Sequence, residues 1–255
     1  MKFILQHQPT NPTLEHAESI KIGKKYTEIV SIGGGSTIDV GKWLARKYGL
    51  KHTAIPTTCG SGSEMTKFCV LMVDGKKVTF SDKRFIPKKH ILQPNLLQTL
   101  PVDQIISSGL DALSHSLESY WSINSTKMSR KYSLSAMNFL VSNFKKALKY
   151  DEEALMYMLV GANLAGRAIN ITKTNVCHAI SYPLTEIYGI PHGIACAMTL
   201  PYFTKKMMGK DISFIKRYLP TYKIDKKKIA DIAFKSGKLK DCPKLVTKLD
   251  IKKAL

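Results

Sequence analysis

The sequence predicts an α/β fold over residues 1–100, built on an incomplete parallel sheet, followed by an all-α part over residues 101–255. Three observations carry this reading. Two short apolar runs, 27–32 and 52–55, each end in a glycine- and hydroxyl-rich segment, the way strands of a parallel sheet run into their loops. The pair Asp74-Gly75 separates two β-prone runs, 66–73 and 76–81, which is the pattern of a hairpin. Beyond Leu100-Pro101 the chain reads helical, over about 103–121, 127–149, 152–171, 176–188 and 191–208.

Taken in order, residues 1–25 form a polar lead-in with a turn at Asn11-Pro12 and a short helix over about 13–21. A buried strand is expected over 27–32, a turn over 33–35, and a helix over 36–48 capped by Ser36 or Thr37. A second strand, 52–55, leads into Pro56-Thr57-Thr58-Cys59-Gly60-Ser61-Gly62-Ser63-Glu64. Backbone N–H groups at such glycine loops, and a helix N-terminus behind them, cradle phosphate, and two of them following successive strands meet at one sheet edge. A ligand held between the α/β and helical parts would occupy the cleft between them.

A chain of 255 residues with 44% hydrophobic and 23% charged residues has the composition of a globular protein with a substantial core. No apolar run is read as a membrane span, and Phe3-Ile4-Leu5 is too short for a signal-peptide core, so the expected location is the cytoplasm. The five cysteines, Cys59, Cys69, Cys177, Cys196 and Cys242, form no CxxC pair, and none stands out as a ligand or nucleophile. The net charge of +20 is concentrated in residues 201–255, where 16 Lys or Arg meet 5 Asp. Only 5 residues in the chain are Arg, and no aromatic interleaving accompanies the lysines, so no specific nucleic-acid partner is expected.

The chemistry-bearing stretch is Gly109-Leu110-Asp111-Ala112-Leu113-Ser114-His115-Ser116-Leu117-Glu118. Asp111 and His115 stand one helical turn apart on one face, able to grip one ion, while Ile106, Leu110, Leu113 and Leu117 mark an opposite, buried stripe. His178 and His192 follow, in Val176-Cys177-His178-Ala179-Ile180-Ser181-Tyr182-Pro183-Leu184 and Ile190-Pro191-His192-Gly193. One carboxylate and three imidazoles make a four-ligand set for Fe²⁺ or Zn²⁺; the same residues also read as satisfied core or surface histidines.

These segments, taken with Ile32-Gly33-Gly34-Gly35-Ser36-Thr37-Ile38-Asp39 and residues 56–64, resemble the iron-containing alcohol dehydrogenase family, whose dehydroquinate synthase-like fold is shared with glycerol dehydrogenase. The resemblance covers most of residues 8–205 and implies hydride transfer between NAD or NADP and a small aldehyde or alcohol. It implies that Asp111, His115, His178 and His192 hold Fe²⁺ or Zn²⁺, which polarises the carbonyl oxygen. It assigns the cofactor to Gly34, Gly35, Ser36, Thr57, Thr58 and Ser63, with Lys77 as the candidate lysine that reaches it. Asp39, which matches the family's GGGSxxD, either joins them or anchors the loop. Tyr182 stands where many members have a further histidine; it either relays a proton or packs at a helix end. Residues 61–68, 122–126 and 178–185 resemble the phosphonoacetaldehyde reductase branch, for which Lys67, Arg167 and Lys173 are candidate partners of a phosphonate. A homodimer is a further expectation.

The sequence departs from the family at both ends. Members begin with further βα units before the Asn11-Pro12-Thr13 segment, and much of their helical matter is missing between residues 208 and 225. The chain therefore reads as truncated at the N-terminus and shortened in its helical part. An alternative is a non-catalytic remnant that keeps metal binding. A lesser one is a dehydroquinate synthase-like lyase or a glycerol dehydrogenase-like enzyme.

Overall fold

The computed structural model describes residues 8–9 and 11–255. The readings of residues 3–5 and of the start of the lead-in lie outside the described residues. The chain enters through α1 (Leu14–Ser19), capped by Thr13, whose Oγ1 accepts from His16 N at 3.0 Å. It passes through β1 (Glu28–Gly33), α2 (Gly35–Tyr48), β2 (Lys51–Pro56), the hairpin β3 (Phe68–Val73) and β4 (Lys76–Ser81), and the short β5 (Lys89–His90). β1 and β2 pair in parallel from Glu28↔Lys51 to Gly33↔Pro56, with α2 as the crossover that a parallel pair needs. β5 adds to the other side of β2, giving the order β1-β2-β5, while β3 and β4 form a separate antiparallel pair.

Two expectations are corrected here. The first strand is not buried: it is the edge of the sheet, with Val30 and Ile32 more than half exposed. Its apolar side chains set it as a strand, but exposure depends on the strand beside it. The helix after the glycine turn is not capped by Ser36 or Thr37. Gly34 is the N-cap and no side chain bonds the first turn, which leaves those amides open toward a ligand. β5 is only 2 residues long, too short to show a strand pattern in the sequence.

Ser31 on β1 and His52 on β2 meet under α2, with Ser31 Oγ 2.9 Å from His52 Nε2. A Cβ at Gly41 would come within 1.9 Å of Ser31 Oγ, so glycine permits this close approach. His52 is buried, and burial, with Lys42 adding to it, pushes its pKa down to about 4. The unfolded chain binds this proton below pH ~6.5, the folded chain only near 4; stability therefore falls as pH drops across that window and levels off below it. The expected loss is about 2–3 kcal/mol. Urea unfolding of wild type and His52→Gln at pH 7 and pH 4.5 checks it, and the variant should lose that part of the pH dependence.

The rest of the chain is helical: α3 (Val102–Trp121), α4 (Lys127–Ala147), α5 (Glu152–Thr172), α6 (Val176–Tyr188), α7 (His192–Met208), α8 (Lys226–Ala233) and α9 (Lys248–Ala254). Thr126 and Ser129 form a capping box on α4, and Asp151 caps α5 by accepting from Ala154 N. Gly189 and Gly209 close α6 and α7 in the left-handed conformation. α3 lies among α4, α5 and α7 and is buried on nearly every side from Gly109 to Ser119. The expected division of α3 into a buried stripe and an outward polar face therefore fails, since Asp111 and His115 are buried as well.

By length and apolar composition alone α5 could cross a membrane, but most of it is buried in this structure. It packs chiefly against α4 and α3 as a core helix. Most of the buried apolar side chains fall into two clusters. One joins Ala17, Val40, Leu44, Leu71 and Phe85; the other runs through the helices from Leu97 to Ile251.

Candidate metal centre and adjoining loops

Asp111 and His115 come from the middle of α3, His178 from the first turn of α6 and His192 from the first residue of α7. Asp111 Oδ1 lies 3.5 Å from His178 Nε2 and 3.8 Å from the Nε2 atoms of both His115 and His192. Four donors held at ~2.1 Å around a tetrahedral ion would stand about 3.4 Å apart, so the cluster is slightly open but suited to one cation. Asp111 Oδ1 and His178 Nε2 are buried without a hydrogen-bond partner among the described residues. Such orphaned groups cost about 1–3 kcal/mol each, and a divalent ion bound among them would satisfy both. The donor set fits Fe²⁺ or Zn²⁺.

The electrostatics of Asp111 and His115 agree, whereas at His178 and His192 burial is outweighed by Cys196 and the neighbouring carboxylates, which raise both imidazoles. Burial raises the Asp111 pKa, but the surrounding imidazoles, His115 first, outweigh it and hold the carboxylate below its ordinary range. Burial pushes His115 down to about 4, leaving a neutral ring with a lone pair to donate. The His115 and His178 rings stack with centroids 4.6 Å apart. α7 reaches this point because Gly193 lies directly on α3: a Cβ there would fall 1.8 Å from Ser107 O.

Two neighbours escaped the reading of the sequence. Glu118, fully buried, accepts from His178 Nδ1 at 2.5 Å and from the backbone N–H groups of Asn175, Cys177 and His178. It fixes the ring so that Nε2 faces Asp111, and its carboxylate sits at the N-terminus of α6 where the helix dipole favours an anion. The signal was its position, one turn beyond His115 and two beyond Asp111 on the same helix face. Cys196 is the other. It lies one turn after His192 on α7, with Sγ 3.9 Å from His192 Nε2, so the expectation that no cysteine stands out as a ligand is corrected. All five cysteines are free and buried. Tyr182 stacks on His192, with ring centroids 5.9 Å apart, and the Lys238 ammonium sits 5.2 Å from the centre of its ring.

The two glycine loops meet each other and then this centre. A Cβ at Gly34 would touch Thr58 at 3.5 Å, and one at Gly35 would lie 2.9 Å from Ser61. Gly60 presses on Ser108, one turn before Asp111, where its Cβ would come within 2.8 Å. Gly62, with a positive φ of 58°, lies against Gly166 of α5. Ser36, Thr57 and Thr58 are half-buried at the junction of these loops. Open amides at the start of α2 and glycines in close contact make a cradle suited to a pyrophosphate.

Asp39 and Ser63 are buried behind the cradle. Ser63 Oγ donates to Asp39 Oδ1 at 2.5 Å, and Val70 N donates to Oδ2 at 2.9 Å. Fully buried Lys42 donates to Phe68 O at 2.6 Å and Thr66 Oγ1 at 3.1 Å, with Asp39 3.4 Å away. This group ties both loops to the hairpin. Lys77 lies on β4 opposite Met72, near the hairpin turn. Arg167 is on α5, bonded to Asn163 and over the Tyr132 ring. Lys67 N bonds to Asn170 of the same helix, and Lys173 is exposed at its C-cap.

Comparison with known proteins gives matches to two family models, iron-containing alcohol dehydrogenase over residues 4–94 and the C-terminal part of the Fe-containing alcohol dehydrogenase family over residues 105–255. The 4-hydroxybutyrate dehydrogenase of Clostridium kluyveri is 31% identical over 195 residues, covering 68% of this chain and 52% of that protein. The phosphonoacetaldehyde reductase of Streptomyces viridochromogenes is 36% identical over 155 residues, covering 59% and 39% respectively. The chain thus spans about half the length, or less, of these curated relatives. Among solved structures, an iron-containing alcohol dehydrogenase superposes with a TM-score of 0.86 at 27% identity, covering 99% of this chain and 81% of the other. A sulfoacetaldehyde reductase from Bifidobacterium kashiwanohense, in complex with NAD⁺, does so with a TM-score of 0.85 at 26% identity, covering 96% and 80%.

Proposed function

Because the chain belongs to the iron-containing alcohol dehydrogenase family, we propose that it interconverts a small aldehyde and its alcohol with NAD or NADP. The observation that carries this is the meeting of Asp111 Oδ1 and three imidazole Nε2 atoms one helical turn from the point where the second glycine loop touches α3. When bound, the divalent ion supplies Lewis acidity toward a carbonyl oxygen and the nicotinamide supplies or accepts the hydride.

The chain's own residues do the rest. Asp111, His115, His178 and His192 hold the ion, and Glu118 orients His178. Gly34, Gly35, Ser36, Thr57 and Thr58 receive the pyrophosphate and ribose, while Asp39 and Ser63 keep the two loops in register from behind. Tyr182, stacked beside His192, carries a proton on its phenol oxygen toward solvent. Water is kept from the ion by the burial of all its candidate ligands except His192, which is partly exposed.

The substrate within this reading is an aldehyde with an anionic head. The supporting observations are relatives whose names carry phosphonoacetaldehyde and sulfoacetaldehyde, together with Lys67, Arg167 and Lys173 on and beside α5. The test is to load the chain with Fe²⁺ or Zn²⁺ and follow NADH and NADPH oxidation with phosphonoacetaldehyde and with butanal. Faster turnover of the phosphonate is expected. Equal efficiency counts against the anionic head, and bound metal without turnover favours a non-catalytic chain that keeps the ion.

A further inference from the structure

We propose that Cys196 is a thiolate ligand of the same ion, giving this chain a donor set of mixed oxygen, nitrogen and sulfur; the proposal rests on the metal-centre reading above. Cys196 is fully buried and follows His192 by one turn of α7, so the two side chains share a face. Its Sγ is 3.9 Å from His192 Nε2, and the donor atoms of Asp111, His178, His192 and Cys196 all lie within 4.8 Å of one another. A tetrahedral centre with metal–sulfur bonds of ~2.3 Å and metal–nitrogen bonds of ~2.1 Å separates those donors by about 3.6 Å, close to what is seen.

A buried cysteine among apolar side chains is ordinarily a small hydrophobe. Cys196 differs because the space it borders contains two buried atoms, Asp111 Oδ1 and His178 Nε2, that lack any hydrogen-bond partner among the described residues. A cation bonded to both of them lies within reach of Cys196 Sγ as well. His115, whose Nε2 is 3.8 Å from Asp111 Oδ1, is not in that group of four. A thiolate among them tilts selectivity away from hard cations and toward zinc or cobalt.

Cobalt alone is the probe. The full chain is titrated with Co²⁺, the bound ion is counted, and the near-ultraviolet spectrum is read for thiolate-to-cobalt charge transfer. The expected result is one Co²⁺ per chain with a charge-transfer band that disappears in Cys196→Ser and persists in Cys177→Ser. One bound Co²⁺ without the band, or a band that survives Cys196→Ser, overturns the thiolate ligand and leaves the metal centre standing. No bound Co²⁺ sinks the metal centre and this proposal together. Should Cys196→Ser fail to fold, cadmium NMR of the wild-type chain decides, because a thiolate ligand moves the resonance far downfield and its absence there overturns the proposal.

Discussion

Asp111→Ala is expected to remove the bound metal. Asp111 is the common point of the centre, with Oδ1 within 3.8 Å of each of three Nε2 atoms. Changing a group that only orients a ligand costs ~10–100-fold in metal affinity, so losing the carboxylate ligand itself is expected to cost more than about a hundredfold. Metal analysis after dialysis reads the effect, and retained metal contradicts the assignment.

Glu118→Ala is expected to be among the most damaging single changes in the helical part. Its two carboxylate oxygens receive the N–H groups of Asn175, Cys177 and His178 as well as His178 Nδ1, all away from solvent. Removing one side of such a buried charged network costs about 3–5 kcal/mol, because the stranded donors find no water. The ring of His178 also loses the group that fixes its orientation. Glu118→Gln keeps the shape but not the charge, and it should lose less stability while lowering metal affinity by ~10–100-fold. Denaturant unfolding and a metal titration on both variants separate the structural from the orienting role. Glu118→Ala within 1 kcal/mol of wild type, a threshold near the net worth of a single hydrogen bond, would show that the donors are satisfied elsewhere.

Much of the helical part was legible because its signals are local. Thr126 and Asp151 mark the starts of α4 and α5, and the helical reading after residue 101 places each of α3 to α7 to within 2 residues at either end. Asp111 and His115 were legible by spacing, and His178 and His192 stood out as two further imidazoles, though nothing in the sequence alone says that α6 and α7 return to α3. Glu118 and Cys196 sat one turn from ligands already singled out, and the same spacing rule would have found them.

What stayed hidden depends on distant partners. The burial of Lys42 is one such case, because Phe68 O and Thr66 Oγ1, which accept from it, arrive from a later part of the chain. The apolar run of β1 reads as buried, yet its place at the sheet edge exposes Val30 and Ile32. The bare N-terminus of α2 was masked by Ser36 and Thr37, two good capping residues that sit two and three positions past the N-cap Gly34.

The most direct test of the metal centre is a crystal of the full chain grown with Zn²⁺ and measured on both sides of the zinc absorption edge. The account predicts one anomalous peak per chain within bonding distance of Asp111 Oδ1 and the Nε2 atoms of His178 and His192. A fully loaded crystal with that peak elsewhere, or with Asp111 and the three histidines closed around water alone, would contradict it.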